Sequence, residues 1–207
     1  HRAGIGAENR EQAEKLTYPG DFIAYAGEPV FFGDGILKAK ALDDRLGCAV
    51  MLELLREDFP CDIWYAFTVQ EEIGSGAMTA AYRLKPDAGL VIECTTAADL
   101  PFVKGALRTC SFGGGAAIPT ADSGTLYHPA LVHTAREAAT KAGISWQDKL
   151  TIAGGTDAKH ISQSGYGVPM VAISAPGRYL HSPVSCVKWS DAESVCGAVR
   201  AFLQSAF

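Results

Sequence analysis

Four positions able to bind cations or move protons stand at the ends of strand-like runs. Glu71-Glu72 follows the apolar run Ile63–Val69 and precedes a glycine-rich turn, Gly74-Ser75-Gly76. Asp43-Asp44 lies where a β-like stretch gives way to a helical one. Glu93 closes the apolar stretch Gly89-Leu90-Val91-Ile92, and His181 lies in a loop after Pro169–Ser174. Each has an ordinary explanation by itself. An Asp before a helix caps it, paired glutamates complement a helix dipole, and a loop histidine forms local hydrogen bonds. Glu93 is harder to explain this way, because an unpaired buried carboxylate is costly. In α/β folds functional residues gather at the carboxyl ends of strands, so acids from four separate turns point to one site.

Carboxylates crowded on one rim repel each other, and divalent cations relieve that repulsion. Asp, Glu and His at about 2.0–2.2 Å are ordinary zinc ligands. Two ions about 3.5–4 Å apart share a bridging carboxylate and lower the pKa of a water between them. Adjacent glutamates suit such a site, since one ligates while the other faces the water and takes its proton. The pattern therefore reads as most of a two-metal hydrolase site.

The elements that must position these residues follow from periodicity. Val30-Phe31-Phe32 and Ile36–Ala39, split by Gly33-Asp34-Gly35, predict a hairpin. Phe22–Ala26 is also β-like, and residues 10–16 form a short helical turn. From Asp43 to about Glu57 the spacing of Leu46, Ala49, Val50 and Leu54, with Met51 beside them, predicts an amphipathic helix. Ile63–Val69 predicts a strand buried on both faces. Further helices are expected over Met78–Arg83, Leu131–Ala142 (with Gly143 as C-cap), Asp157–Ser164 and Trp189–Leu203, and buried strands at Gly89–Ile92 and Pro169–Ser174. Strands alternating with helices from residue 39 onward imply an α/β fold: a mixed, mostly parallel sheet sandwiched by helices.

The bulk numbers narrow the function classes. The 207 residues carry a net charge of −5 with both signs interspersed, which argues against a nucleic-acid-binding face. No apolar stretch approaches the roughly 20 residues that span a bilayer, and no signal peptide is visible. Six scattered cysteines with no CxxC pair read as buried thiols of a cytoplasmic protein. The chain opens at His1 rather than at methionine, which reads as a cut in a longer polypeptide.

Lys40-Ala41-Leu42-Asp43-Asp44-Arg45-Leu46-Gly47-Cys48 resembles the Asp-Asp-Arg motif of the glutamyl aminopeptidase family, which includes the tetrahedral and deblocking aminopeptidases. Gln70-Glu71-Glu72-Ile73-Gly74-Ser75-Gly76-Ala77 resembles its Glu-Glu motif. Gly154-Gly155-Thr156-Asp157-Ala158 and Arg178-Tyr179-Leu180-His181-Ser182-Pro183 are similar to two further blocks, and Ile5-Gly6-Ala7 and Gly20-Asp21-Phe22 to linking segments. The resemblance covers nearly the whole chain in the family's order.

It implies a zinc-exopeptidase-like fold and a metal-dependent aminopeptidase that removes N-terminal residues from peptides. It also implies a role for each position. Asp43 would bridge two metal ions through a cis peptide to Asp44, Glu71 would be the general base, and Glu72 and His181 would complete the first ion's ligands. Glu93 would hold the second ion, and Gly155, Thr156 and Asp157 would line the substrate pocket. Zinc or cobalt would be the metal, and the full-length protein would be a homo-oligomer.

One part of the family's pattern is missing. Its His-x-Asp pair, which completes the second metal site, has no match here, and His128, His133 and His160 fall in later, helix-like segments as surface or packing residues. Residues 1–38 read as the remnant of a β-rich lid or assembly domain, with the metallopeptidase catalytic domain over 39–207. The second metal site is thus expected to be incomplete and the chain weakly active alone. The same acids leave two other readings open. One is a glycosidase, since paired carboxylates do that chemistry and the family has been labelled endoglucanase. The other is a non-catalytic scaffold with a vestigial site.

Overall fold

The computed structural model describes residues 6–22, 24–25 and 27–205. Seven strands form one mixed sheet. Its main path runs β1 (Val30–Phe32), β2 (Ile36–Ala39), β7 (Ser185–Lys188), β6 (Met170–Arg178), β4 (Ala116–Pro119) and β5 (Trp146–Lys149), and β3 (Gly89–Thr96) pairs with β6 off that path. The helices are α1 (Arg10–Leu16), α2 (Leu42–Leu54), α3 (Gly76–Leu84), α4 (Pro129–Lys141), α5 (Ala158–Ser162) and α6 (Trp189–Ser205). α2, α6 and α4 touch in series and pack on β3, β6 and β4, while α3 and α5 form a second group, with α5 against β3 and β6.

The α/β class matches the expectation, but the sheet is not mostly parallel. Only β3–β6 and β4–β5 run parallel, whereas β1–β2, β2–β7, β4–β6 and β6–β7 are antiparallel. Connection length accounts for the β1–β2 and β6–β7 pairings. A parallel neighbour needs a crossover of a dozen or more residues, and the Tyr179–Val184 loop between β6 and β7 is too short for one. The β1–β2 hairpin turns at Gly33-Asp34-Gly35 as expected, with both glycines at positive φ (52° and 66°). β4, β5 and β7 carry too little alternation over four residues each to be read from sequence.

The core sits on β6. Met170, Val171, Ala172 and Ile173 are at most 1% exposed and meet Leu46, Val50 and Leu54 of α2 and Val195, Val199 and Phe202 of α6. Each large aliphatic side chain buried in this way contributes about 1.5–3 kcal/mol. Ala49, expected on the inner face of α2, is exposed. His133 is exposed on α4, where it pairs with Glu137 at 3.4 Å.

One expected strand is absent among the described residues, and another falls partly outside them. Ile63–Val69 joins no ladder among the described residues and bends at Val69. Ile63 and Tyr65 pack on the core, while Trp64, Phe67 and Val69 are 71%, 49% and 68% exposed. A strand is buried on both faces only when neighbours flank it, and none lies beside this one. In Phe22–Ala26, Ile23 and Ala26 lie outside the described residues, as do His1 to Ile5, and Phe22 and Tyr25 are exposed.

One buried acid ties the sheet to its last helix. Asp191, in the first turn of α6 and fully buried, accepts the N–H groups of Gly113 (2.7 Å) and Gly115 (2.8 Å) just before β4. Both glycines have positive φ (85° and 87°), and a Cβ on Gly115 would collide with Ser145 backbone. Asp191→Ala leaves the buried Gly115 N–H unpaired, whereas that of the exposed Gly113 can turn to water, and a bond to a charged group is worth about 1.5–3 kcal/mol. Urea unfolding of this variant is therefore expected to show a loss of roughly 2 kcal/mol.

Candidate metal centre

The first turn of α2 sends two adjacent carboxylates to different places. Asp43 (φ −84°, ψ 107°) and Asp44 (φ −119°, ψ 48°) are not helical, and the peptide between them is cis. Regular helix starts at Arg45, whose N–H donates to Ala41 O at 3.1 Å. Asp44 then acts as a cap: its Oδ1 accepts the Gly47 N–H at 3.0 Å, and Gly47 leaves the room that a Cβ would take. Asp43 points to the sheet edge, where it accepts the Cys94 N–H.

Asp43 meets residues from two other turns there. His181, in the loop after β6 with φ +59°, places Nε2 3.4 Å from Asp43 Oδ2 and 3.1 Å from Glu72 Oε2. One ligand atom from each of Asp43, Glu72 and His181 lies within 4.8 Å of the others. Ligands about 2.1 Å from one ion in tetrahedral positions stand about 3.4 Å apart, so this trio has the spacing and the donor chemistry of an ion's coordination shell. His181 and Glu72 have side chains 68% and 53% exposed, which leaves the point between them open to solvent.

Glu71 and Glu93 line the same cleft, of about 200 Å³, with Gly155, Thr156, Tyr127 and Lys149. Among the described residues no lysine or arginine forms an ion pair with any of these acids, and the proton affinities of Asp43, Asp44, Glu71 and Glu93 rise. Burial first, then repulsion from Asp44 and Glu71, lifts Glu93 to about 10. Burial chiefly lifts Asp44 to about 8, with the Gly47 N–H opposing and the Asp43 charge adding. Glu71 rises to about 7 through burial and then the neighbouring Asp157, Glu72 and Asp43 charges. Asp43 is raised by burial and by Glu72. Such repulsion is what a bound divalent cation neutralises.

The acids expected from sequence thus converge, with distinctions that sequence did not make. Glu93 sits on β3 in the same cleft but outside the close trio. Asp157 is not among this cleft's lining residues but borders the adjoining void with Glu71 and Glu93. It is 5% exposed, its Oδ2 accepts the Thr68 hydroxyl at 2.6 Å, and its Oδ1 has no partner, so it faces Thr68 and Glu71 instead. A second acidic grouping, Asp43, Asp44 and Cys94, is already engaged: Asp44 caps α2 and the Cys94 thiol donates to Leu42 O at 3.3 Å. All six cysteines are free thiols, three of them buried.

Sequence reasoning missed the cleft's other wall. Asp122 accepts the N–H groups of Gly124 (2.8 Å) and Thr125 (2.7 Å) and the hydroxyls of Tyr127 (2.7 Å) and Thr156 (3.2 Å). Asp122-Ser123-Gly124-Thr125 is a legible Asx-turn string, although nothing in it foretells that Thr156 is held through it. Lys149 ends β5 in the cleft wall, its Nζ donating to Ala153 O at 2.8 Å, and burial lowers its pKa.

Comparison with known proteins agrees with this geometry. The family model described as M42 glutamyl aminopeptidase matches residues 2–196. A protein of Acetivibrio thermocellus with an aminopeptidase name is 40% identical over 190 residues, or 90% of this chain and 57% of that protein. The solved aminopeptidase APDkam598 of the archaeon Desulfurococcus kamchatkensis superposes with a TM-score of 0.90 at 35% identity, covering 97% of this chain and 58% of that one. The TET1 peptidase of Pyrococcus horikoshii, described as assembling into a tetrahedron or a large octahedral shell, superposes at 0.79 with 29% identity, covering 96% of this chain and 59% of that one. The chain therefore spans under three fifths of the length of these relatives. With a family match over almost its whole length and the motif residues gathered at one sheet edge, the chain belongs to the M42 glutamyl aminopeptidase family.

Proposed function

We propose that this chain is the catalytic part of a metal-dependent aminopeptidase acting on peptide N-termini. The observation that carries the reading is the Asp43–Glu72–His181 trio, spaced as one ion's ligands with Glu71 alongside. When bound there, a divalent cation such as zinc or cobalt lowers the pKa of a water and polarises the scissile carbonyl. Asp43, Glu72 and His181 would hold the ion, and Asp43 with Glu93 would supply part of a second position. Glu71 takes the water's proton and returns it to the leaving amine, a task suited to a carboxyl lifted to about 7. Thr156, oriented by Asp122 and Tyr127, and Gly155 form the wall against which the peptide lies. Asp157 holds Thr68 and keeps a negative charge near Glu71, so we assign it a positioning role.

The trio's convergence on one point suits ion coordination better than two carboxyls flanking a sugar, so the geometry does not favour a glycosidase. Residues 1–38, joined to the sheet among the described residues by the β2–β7 pairing, are proposed as the edge of a second domain. The complete protein is proposed to be a cytoplasmic homo-oligomer, and this portion alone a weak enzyme.

Zinc titration by calorimetry tests the centre. The chain is expected to bind one ion tightly, and His181→Ala to remove that site. Two tight sites per chain would refute an incomplete second position. Hydrolysis of aminoacyl-nitroanilides but not of carboxymethylcellulose by the full-length protein is the companion expectation.

A further inference from the structure

His181 carries its imidazole on a loop with little of its own to hold it. Its Nε2 faces Asp43 and Glu72, and its Nδ1 has no hydrogen-bond partner among the described residues. A ligating histidine is ordinarily aimed by a partner on its other nitrogen, so here the backbone must aim the ring. That backbone is residues 179–184, between β6 and β7. Among the described residues none of its N–H groups has a partner, and its one bonded carbonyl, Val184 O, takes the Ser182 hydroxyl at 2.6 Å. Tyr179 and His181 both stand at positive φ (62° and 59°). Residues other than glycine rarely adopt that conformation, and it persists where the surroundings enforce it.

The enforcement begins at the residue just before the loop. Arg178, the last of β6, donates from Nε to Asp99 Oδ1 (2.9 Å) and from Nη2 to Asp99 Oδ2 (3.0 Å). A two-pronged bond of this kind fixes the plane of the guanidinium as well as its position. The guanidinium also lies over the Phe112 ring, 4.3 Å from its centre. Asp99 Oδ2 accepts the Phe112 N–H at 3.1 Å, which closes a triangle between the segment after β3, the segment before β4 and the end of β6. Burial raises the Asp99 carboxyl, but its bonds to Arg178 and Phe112 outweigh that and hold it below the usual carboxylate range. β3 itself carries Glu93 and the Cys94 N–H that Asp43 accepts. The triangle thus ties the His181 loop to the strand behind Asp43 and Glu93. Leu180 seats the same loop on the core, but an apolar contact sets depth rather than direction.

We propose that Arg178 and Asp99 are positioning residues for the metal centre: their ion pair, stacked on Phe112, fixes the base of the 179–184 loop so that His181 is already aimed at the point it shares with Asp43 and Glu72. This role presupposes that the trio is an ion's ligand set, as proposed above. Neither residue lines the cleft. The pair acts by sparing ion binding the cost of ordering the loop.

Zinc affinity of the full-length protein, measured by calorimetry, tests the pair. Arg178→Lys keeps the charge but loses the fork, and Asp99→Asn keeps the shape but loses the charge. Each is expected to weaken zinc binding about 10–100-fold, the usual range for a residue that orients a ligand. Arg200→Lys is the matched control. It breaks the same kind of fork, between Arg200 of α6 and Glu57, and is expected to bind zinc as the parent does. The visible absorption of the cobalt-loaded protein, which follows ligand geometry, is expected to change shape in the two loop variants and to stay unchanged in the control. An ion pair that only stabilised the fold would move the melting temperature and neither of these readouts. Parent-like zinc affinity in both Arg178→Lys and Asp99→Asn overturns the proposal, and so does an equal loss in Arg200→Lys. Should Arg178→Lys not fold, Asp99→Asn and Phe112→Leu decide by the same comparison. His181→Ala keeps the two readings apart. If it leaves zinc binding intact, the metal centre itself is misassigned. Zinc lost with His181→Ala but kept with Arg178→Lys and Asp99→Asn refutes the positioning role alone.

Discussion

Glu71→Gln in the full-length protein is expected to lower kcat on an aminoacyl-nitroanilide by roughly 10²–10⁴-fold, the range lost with a general base. KM and bound zinc are expected to stay close to those of the parent. Gln keeps the size and hydrogen-bonding reach of Glu but cannot accept a proton. Glu71 is not one of the three residues whose ligand atoms cluster, so the ion should remain. Asp43→Asn is the contrasting variant: it is expected to lose zinc and activity together. A Glu71→Gln enzyme as active as its parent would end the catalytic assignment and favour the scaffold reading.

The second large effect concerns stability without metal. In EDTA the chain is expected to lose stability as pH rises from 5 to 8. Burial and neighbouring charges lift Glu93 to about 10 in the fold from an ordinary 4.5, and Asp44 to about 8 from 3.8. Between those limits the folded state holds protons that the unfolded chain has released. Stability therefore falls with pH, by up to about 1.4 kcal/mol per unit for each such group. It is fully present below the unfolded values and lost progressively up to the folded ones. For Glu93, which is 8% exposed, the loss by pH 7 is on the order of 3 kcal/mol. At this chain length that lowers the melting temperature by roughly 6–12 °C. The contributions of Glu93 and Asp44 do not add, because each is raised partly by the other. Excess zinc is expected to reverse the slope by binding only the folded form, and Glu93→Gln to flatten it. Melting curves by circular dichroism at several pH values decide the matter. A melting temperature that climbs from pH 5 to pH 8 in EDTA would show that these acids are not the strained cluster described above.

Much of the fold was legible because it is local. The hairpin at Gly33-Asp34-Gly35 follows from turn chemistry, and α2, α4 and α6 follow from apolar spacing with their stop signals. Ile63–Val69 misled because its composition calls for two flanking neighbours, and extended backbone becomes sheet only beside a partner. β4, with the sequence Ala-Ala-Ile-Pro, carries almost no propensity of its own and is a strand because β5 and β6 flank it.

The candidate site divides along the same line. Residue type and order were enough to mark Asp43-Asp44, Glu71-Glu72, Glu93 and His181 as one chemical set, since so many acids at strand ends need a cation. They could not say that Asp43 faces His181 while Asp44 caps its own helix, that Asp157 turns to Thr68, or that Tyr127 and Asp122 hold Thr156. Those outcomes depend on backbone dihedrals and on partners tens of residues away along the chain. Local sequence writes the chemistry each turn can offer, and long-range packing alone sets which carboxylate points at which neighbour.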